Sequence, residues 1–426
     1  MSEKLIKLSE GVQGLFVRNA RFKTTRISFN IYLPLKRETV ADYALLPFIL
    51  TSCSKKYPDF SKLNYKLSKL YGATLSASTE KLGDCQLLRM AISVINDEYT
   101  LQSESLVKQA SELMLKLLFE PNTDNGSFLK EDIEREKRKA IEHIRGEFSE
   151  KRIYAKKRLI EEMFKGEDYG VSKCGSEEDV EAITGASLYK AWEKMLRSAF
   201  IQVQVIGSAV PEGLFEDIKS AFLEIERENI TNVTECKPIA SVNKVKVVEE
   251  KMQVAQGKLV MGFSSEVYGD DDTALPLMVA TDIFGGGPYS RLFSNVREKM
   301  SLCYYCSASS VRAKGLLTVE SGVEFENAKK AQKEILNQLD VIKKGEFSDF
   351  EYESSLKSIK DSLMGYDDSQ GSLDLWYALK IANKEIYSPQ HIAEKISQIT
   401  KDDIVNAAKG IRLHTVYKIV AKEAEQ

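Results

Sequence analysis

Histidine is a residue that zinc-dependent peptide hydrolysis commonly needs, and this sequence holds three, His143, His391 and His414. Zinc hydrolases often place two histidines on one helix, with a glutamate between them that activates water. No two of these histidines are close enough in sequence to share a helical face. We therefore interpret His143 as an ordinary surface or packing residue, and we expect no metal site, no cofactor and no catalytic residue.

The most unusual local feature is the glycine triplet Gly285, Gly286 and Gly287, which lies between an apolar helical stretch and a second helical segment. Glycine tolerates positive φ and lets another backbone approach closely. Two interpretations stay open for the triplet. It is either a loop that binds a ligand, or a helix C-terminus followed by a turn with no ligand.

Arg297 and Tyr304 follow this triplet. If the helix ends near Met300 and a strand begins near Leu302, both side chains could face one cavity. A guanidinium group with five donors and a phenol on a rigid ring suit peptide carbonyls and carboxylates. The alternative is a surface arginine and a core tyrosine.

Cysteine chemistry is not indicated by the sequence. Six cysteines are scattered along the chain, which is typical of free thiols rather than of a disulfide scaffold. Cys303 and Cys306 have C-x-x-C spacing, but residues three apart in a strand point to opposite faces of the sheet. We therefore expect their sulfurs not to converge. No Gly-x-Ser-x-Gly motif marks a nucleophilic serine.

The helices and strands that must position these residues are predicted to occur in the same order in both halves of the sequence. Strand-like runs open each half at 26–33 and 257–263, and each is followed by an apolar helical stretch. Phrases that begin at Gly126 and Val180 return, at a nearly constant separation, at Gly345 and Ile396. The repeat predicts an α+β protein of two homologous domains, each a mainly antiparallel sheet covered by helices. One large domain stays possible.

The domain boundaries follow from the same pattern. Residues 228–243 are polar, contain Pro238 and show no periodicity, so they are predicted to link an N-terminal domain, 1–227, to a C-terminal domain, 244–426. The two predicted domains are each large enough to bury a core of their own.

Composition excludes several classes of partner. The 426 residues include 60 basic and 63 acidic ones, for a net charge of -3, and no block of like charge is available to bind nucleic acid or an anionic membrane. The first residues lack the apolar core of a signal peptide, and no stretch reaches the roughly 18 apolar residues that a membrane span needs. We expect a cytoplasmic protein.

The segment from Gly285 to Tyr304 resembles the second-domain signature of the M16 (pitrilysin, insulinase-like) peptidases, in which a glycine-rich turn and S-R-L-F precede V-R-E-K and a tyrosine. The resemblance implies the LuxS/MPP-like metallohydrolase fold. In catalytic members an H-x-x-E-H motif on the first helix binds zinc with a later glutamate. The resemblance puts Ala44, Pro47 and Phe48 at the motif positions and His143 at the later one. These four residues cannot together hold zinc.

The resemblance therefore implies a zinc-less subunit of a two-subunit M16 peptidase. Such a chain forms a heterodimer with a zinc-bearing homologue, or a homodimer, and binds a peptide substrate through Arg297, Tyr304 and the Gly285–Gly287 turn. The alternatives are a scaffold with no part in proteolysis and a hydrolase with unrelated catalytic residues. More narrowly, Leu45–Pro47 and Lys69–Ala73 resemble a bacterial subfamily associated with 5-aminopentanol modification of elongation factor P.

Overall fold

The computed structural model describes residues 2–234, 236–269, 271–382 and 386–422. The first half of the chain contains, in order, β1 (Ser2–Ser9), β2 (Val12–Arg18), β3 (Thr24–Pro34), α1 (Val40–Leu50), α2 (Phe60–Lys69), β4 (Thr74–Leu82), β5 (Cys85–Ile95), α3 (Leu106–Phe119), β6 (Thr123–Asp124), β7 (Ser127–Phe128), α4 (Lys130–Ser149), α5 (Lys151–Met163), α6 (Glu177–Ala182), α7 (Gly185–Ser198), β8 (Phe200–Gly207) and α8 (Leu214–Leu223).

The second half contains a shorter set of elements in a matching order. They are β9 (Lys246–Met252), β10 (Gly257–Ser264), α9 (Leu275–Gly285), a π-helical segment (Leu292–Lys299), β11 (Cys303–Val311), β12 (Leu316–Val323), α10 (Ala328–Lys343), α11 (Asp349–Met364), α12 (Gln370–Leu379), α13 (Pro389–Ile396), α14 (Lys401–Lys409) and β13 (Arg412–Ala421).

Each half contributes one large sheet, and the two sheets share a strand order. The first runs β1-β2-β8-β3-β5-β4, and the second runs β9-β13-β10-β12-β11. In each sheet one pair is parallel, β2 with β8 and β9 with β13, whereas the other neighbouring strands are antiparallel. The second sheet thus repeats the first without its edge strand β1. This repetition confirms the predicted α+β fold of two duplicated halves.

The repeated phrases in the sequence are local folding signals. Gly126 and Gly345 both have a φ of 75°, a left-handed conformation that glycine adopts without strain. Each precedes a buried phenylalanine by two positions. Thr184 and Thr400 each begin a helix, α7 and α14, with a capping box in which the threonine side chain accepts a backbone hydrogen bond.

Two compact units form, and neither is a single stretch of chain. Unit 1 combines residues 1–145, 171–235 and 367–382, and unit 2 combines 146–170, 236–366 and 383–426. Helix α5, from the first half, packs on the sheet of unit 2, and α12, from the second half, packs on the sheet of unit 1. The division into 1–227, 228–243 and 244–426 therefore stays a prediction about the repeats, because the compact units exchange these two segments.

The residues that the structure describes between α8 and β9 form neither helix nor strand. They are nevertheless anchored. The buried Arg227 donates to the Glu10 carbonyl at 2.8 Å, and the Ile239 N–H donates to the Lys314 carbonyl at 2.8 Å. The first contact lies within unit 1 and the second within unit 2.

The core of unit 1 lies between its sheet and a layer of helices that includes α1, α3, α7 and α8. Ile49, Leu113, Leu188 and Ile218, one from each of these helices, belong to the same buried cluster as Ile31 of β3. Because strand side chains alternate between faces, the residues next to Ile31 point to the other face, which α12 covers.

The helix that covers each sheet docks through charged side chains. In unit 1, Asp374 of α12 is fully buried and accepts from Arg26 at 3.0 Å and Arg89 at 2.5 Å. In unit 2, Glu320 of β12 accepts from Arg152 of α5 at 2.9 Å and from Lys156 at 2.7 Å.

Within the described part of the chain, the longest apolar helical stretches fall short of what crossing a membrane requires.

Candidate functional site

Three of the four residues at the zinc-motif positions line one pocket of unit 1. Ala44 and Phe48 lie one helical turn apart on α1, so their side chains share a face. Helix α4 brings His143 to the same pocket, which has a volume of about 370 Å³. The structure brings these three residues together at one pocket, and their correspondence to the zinc-motif positions stays a prediction.

The pocket wall is mostly apolar. Ala41, Leu45, Ala77, Ala140 and Val180 line it beside Ala44 and Phe48. Its charged groups form ion pairs at the wall: Lys139 lies 3.0 Å from Glu136, and Lys173 lies 3.1 Å from Glu80.

The donor set of this pocket does not fit zinc. A zinc site needs three or four convergent nitrogen, sulfur or oxygen ligands. Here Ala44 and Phe48 offer none, and the carboxylates of Glu136 and Glu80 are paired with lysines. Across all residues that the structure describes, no group of three or more His, Cys, Asp or Glu side chains is arranged to hold a metal ion. We derive no catalytic step through a metal.

Pro47 stands apart from the pocket. It is buried inside α1 and does not line the cavity. Proline has no N–H to donate to the preceding turn, which is costly within a helix. The carbonyl of Pro47 accepts the Thr51 hydroxyl at 2.7 Å, which helps to end the helix.

The glycine triplet of unit 2 serves close packing. Gly285 ends α9, and a Cβ atom there would lie 2.5 Å from the Ala308 backbone nitrogen of β11. None of Gly285, Gly286 and Gly287 has positive φ, so the triplet does not use the left-handed conformation that glycine permits. The close approach that glycine also permits is what the structure uses, because α9 could not reach β11 otherwise.

Two arginines of the following segment differ in what surrounds them. Arg291 is held inside unit 2, where it donates to Glu351 at 3.0 Å and to Gln338 at 2.8 Å. Its side chain is 14% exposed, whereas that of Arg297 is 40% exposed. Arg297 lies over the Phe293 ring at 4.7 Å and 3.6 Å from the Glu298 carboxylate. Its guanidinium group is therefore accessible to a ligand.

Tyr304 is displaced from the regular ladder of β11. Cys303 pairs with Val323 and Tyr305 with Gly322, so one extra residue, Tyr304, forms a β-bulge. The tyrosine is 58% exposed, and its hydroxyl donates to Glu324. That hydrogen bond raises the pKa of Tyr304 above its ordinary value. The alternative interpretation of Tyr304 as a core residue is excluded, whereas its convergence with Arg297 on one cavity stays a prediction.

The same bulge overturns the expectation for Cys303 and Cys306. Cys303 lies opposite Val323 and Cys306 opposite Ser321, and these two partners are two residues apart on β12. Residues two apart share a face, so the two cysteines also share a face. The expectation of opposite faces assumed an uninterrupted strand, and the extra residue reverses it.

Sequence reasoning missed several features of these places. It did not find the ion pairs that line the pocket, the Glu324 partner of Tyr304, or the bulge. The pairing register of β11 with β12 sets the bulge, and nothing in the local sequence from Cys303 to Cys306 reveals it.

Comparison with known proteins places this architecture among M16-like proteins. The family profile described as "Peptidase M16 inactive domain" matches residues 182–359. The "Probable inactive metalloprotease YmfF" of Bacillus subtilis is 29% identical over 414 residues, which span 97% of this chain and 96% of that relative.

Two solved structures resemble the chain along its whole length. The crystal structure of a conserved protein from Enterococcus faecalis has a TM-score of 0.92 and 26% identity, with 100% of both chains covered. A peptidase M16 inactive domain from Pseudomonas fluorescens has a TM-score of 0.77 at 13% identity, also over 100% of both chains, and at that identity the likeness shows the fold alone. The chain is therefore similar to an M16 inactive domain over residues 182–359 and to a probable inactive metalloprotease over nearly its whole length.

Proposed function

We propose that this chain is a non-catalytic subunit that pairs with a zinc-bearing M16-type homologue and helps to hold a peptide in that homologue's active-site chamber. One observation carries the proposal. Ala44, Phe48 and His143 of unit 1 line a mostly apolar pocket, while Arg297 and Tyr304 of unit 2 are accessible at the surface.

The chemistry of Arg297 and Tyr304 suits a peptide. A guanidinium group can donate to several carbonyl oxygens at once, and a phenol can donate one more hydrogen bond from a rigid ring. Arg291, in the same segment, shows what a structural arginine looks like in this fold, since two ion-pair hydrogen bonds hold it to Glu351. Arg297 has no comparable anchor among the described residues.

The pocket of unit 1 supports peptide binding in a different way. Its volume of about 370 Å³ exceeds that of one side chain, and its apolar wall favours an uncharged group. A peptide could therefore place an apolar side chain there without contacting any metal.

A scaffold with no part in proteolysis is the second candidate. It is favoured by the contacts that Arg297 and Tyr304 already make within unit 2, to Phe293 and Glu324. On that proposal these contacts are the whole role of both side chains. The narrower likeness to the subfamily associated with 5-aminopentanol modification of elongation factor P stays a prediction, and we assign no reaction to this chain from it.

Reconstitution tests the proposal. We expect a tagged copy of this chain to co-purify from its native host with a zinc-bearing homologue in about equal amounts. Adding the purified chain to that homologue should raise cleavage of a flexible fluorogenic peptide until the two are equimolar. A complex that forms without any change in cleavage would favour the scaffold. A homologue that is fully active alone and does not bind this chain would contradict the proposed subunit and leave the scaffold.

A further inference from the structure

We propose that Cys303 and Cys306 form a redox-active thiol pair, in which a hydroperoxide oxidises Cys303 and Cys306 then closes a reversible disulfide. The two side chains lie on the same face of β11 because the bulge at Tyr304 separates them by one extra residue. Each thiol also shifts the pKa of the other. The redox step does not require the peptide-binding role proposed above, although Arg297 and Tyr304 lie beside the pair in the sequence.

The two thiols have different surroundings, which gives them different roles. Cys303 is half-buried, and Cys306 is buried. The Cys306 hydrogen bond lowers the pKa of Cys303, and the positive charge of Arg297 acts in the same direction. The same contact, together with burial, raises the pKa of Cys306. Cys303 is therefore the thiol that ionises and attacks, and Cys306 keeps its proton until it resolves the product.

Ser321 supplies a second observation at the pair. Its side chain is buried and lies directly across the ladder from Cys306. A hydrogen bond from its hydroxyl lowers the pKa of both thiols. A hydroxyl can donate to a sulfur that gains negative charge, so Ser321 favours the thiolate form.

The reaction balances in two steps. The Cys303 thiolate attacks one oxygen of the hydroperoxide, the O–O bond breaks, and an alcohol or water leaves after taking up a proton. This leaves a sulfenic acid on Cys303. The Cys306 sulfur then attacks the Cys303 sulfur, the S–O bond breaks, and the hydroxide takes the Cys306 proton and leaves as water. Two thiols are oxidised by two electrons, and one peroxide is reduced.

Closing the disulfide requires a small movement of the β11 backbone. The bulge reduces the span from Cys303 to Cys306 to that of two residues in a regular strand, roughly 6.6 Å, which is at the long end of the Cα separations of disulfides. Strand β11 is at the edge of its sheet and is bulged at Tyr304, so it has one neighbouring strand to hold it. A disulfide closed under such strain is readily reduced, which makes the step reversible. Because Tyr304 lies between the two cysteines, oxidation would also displace its side chain.

Mass spectrometry of the whole purified chain tests the pair, with hydrogen peroxide as the probe. Cleavage after Lys299 and Arg312 places both cysteines in one tryptic fragment. We expect peroxide to convert this fragment to a form that is lighter by two hydrogen atoms and that a reductant restores. In the reduced protein, Cys303 should be alkylated on the order of tenfold faster than Cys174, which is also half-buried.

Three variants separate the two roles. Cys306→Ser should leave a sulfenic acid on Cys303 that dimedone traps, whereas Cys303→Ser should abolish disulfide formation in the fragment, which sulfoxide formation at the exposed Met300 cannot mimic because it adds an oxygen. Cys174→Ser should behave as the wild type. Equal alkylation rates for Cys303 and Cys174 would overturn the proposal. So would a wild-type protein whose Cys303 sulfenic acid persists without a disulfide, and this measurement needs no variant to fold.

Discussion

The two units share one strand order, but the surface beside β4 in unit 1 differs from the surface beside its equivalent, β11, in unit 2. In unit 1, α1 and β4 flank an apolar pocket that Ala44 and Phe48 line, and β4 pairs with β5 without a bulge. In unit 2, the equivalent strand β11 is bulged at Tyr304, and Arg297 lies exposed in the segment before it. On the proposed function, Arg297 and Tyr304 of unit 2 are the groups that would hold a peptide backbone by hydrogen bonds.

The exchanged helices also differ, in the sign of their charges. Helix α12 brings an acid, Asp374, to the bases of its sheet, whereas α5 brings bases, Arg152 and Lys156, to an acid, Glu320. These helices occupy equivalent positions in the duplication. If either docked on the sheet of its own half, like charges would meet, which is unfavourable. The charges therefore favour the exchange over the direct arrangement.

Removing the acid from each helix–sheet contact should give unequal losses of stability. Asp374 is fully buried, so Asp374→Ala leaves Arg89 without its partner and should cost about 3–5 kcal/mol. Glu320→Ala should cost only about 1–2 kcal/mol, because its bases are 46% and 39% exposed and can be solvated. Urea unfolding of the intact variants gives both values. Equal losses would show that the two contacts are energetically alike.

Adding one methyl group should destabilise the protein at the tight contact between α9 and β11 but not at an open helix end. Gly285→Ala places a Cβ atom against the Ala308 backbone and should cost about 1–3 kcal/mol. Gly365→Ala is the matched control, since its Cβ meets nothing within 4 Å and its φ is -66°. That change should be neutral or stabilising by up to about 1 kcal/mol. Thermal melts of both variants would test this, and similar shifts would contradict the close-packing role of the triplet.

The contact of α5 with its sheet should weaken in acid. Burial by itself raises the pKa of Glu320, but the hydrogen bonds and charges of Lys156 and Arg152 outweigh burial and lower that pKa below its ordinary value. A carboxyl with a lowered pKa adds stability above its unfolded-state pKa, and that stability is lost as pH falls through the folded-state pKa. Glu320→Gln should therefore cost about 1 kcal/mol at pH 7 and less below about pH 4. If the loss of stability caused by Glu320→Gln does not change with pH, it comes from packing and not from the ion pairs of Glu320.

The duplication could be predicted from the sequence because local signals carry it, whereas the zinc-motif positions rest on the family resemblance and stay a prediction. Thr184 and Thr400 begin helices wherever they fold, and Gly126 and Gly345 turn the chain in the same way. The exchange of α5 and α12 could not be predicted, because both docking and non-docking helices can carry such charges. The shared face of the two cysteines depends on strand pairing, which no local pattern records.

The central claim is that Arg297 acts on a peptide held by a partner, and one measurement tests it most directly. The variants Arg297→Ala, Tyr304→Phe and Lys299→Ala are each mixed with the zinc-bearing homologue. Formation of the complex is confirmed, and cleavage of a flexible peptide is measured. Lys299→Ala is the matched control, because Lys299 is an exposed cation of the same segment.

Arg297→Ala should leave the complex intact and lower kcat/KM by roughly ten- to a hundredfold, since a hydrogen bond to a charged group contributes about 1.5–3 kcal/mol. Tyr304→Phe should do less, because it removes one hydroxyl and keeps the ring, and Lys299→Ala should have little effect. Full activity of an intact complex that carries Arg297→Ala would contradict the shared site and leave the scaffold as the better account.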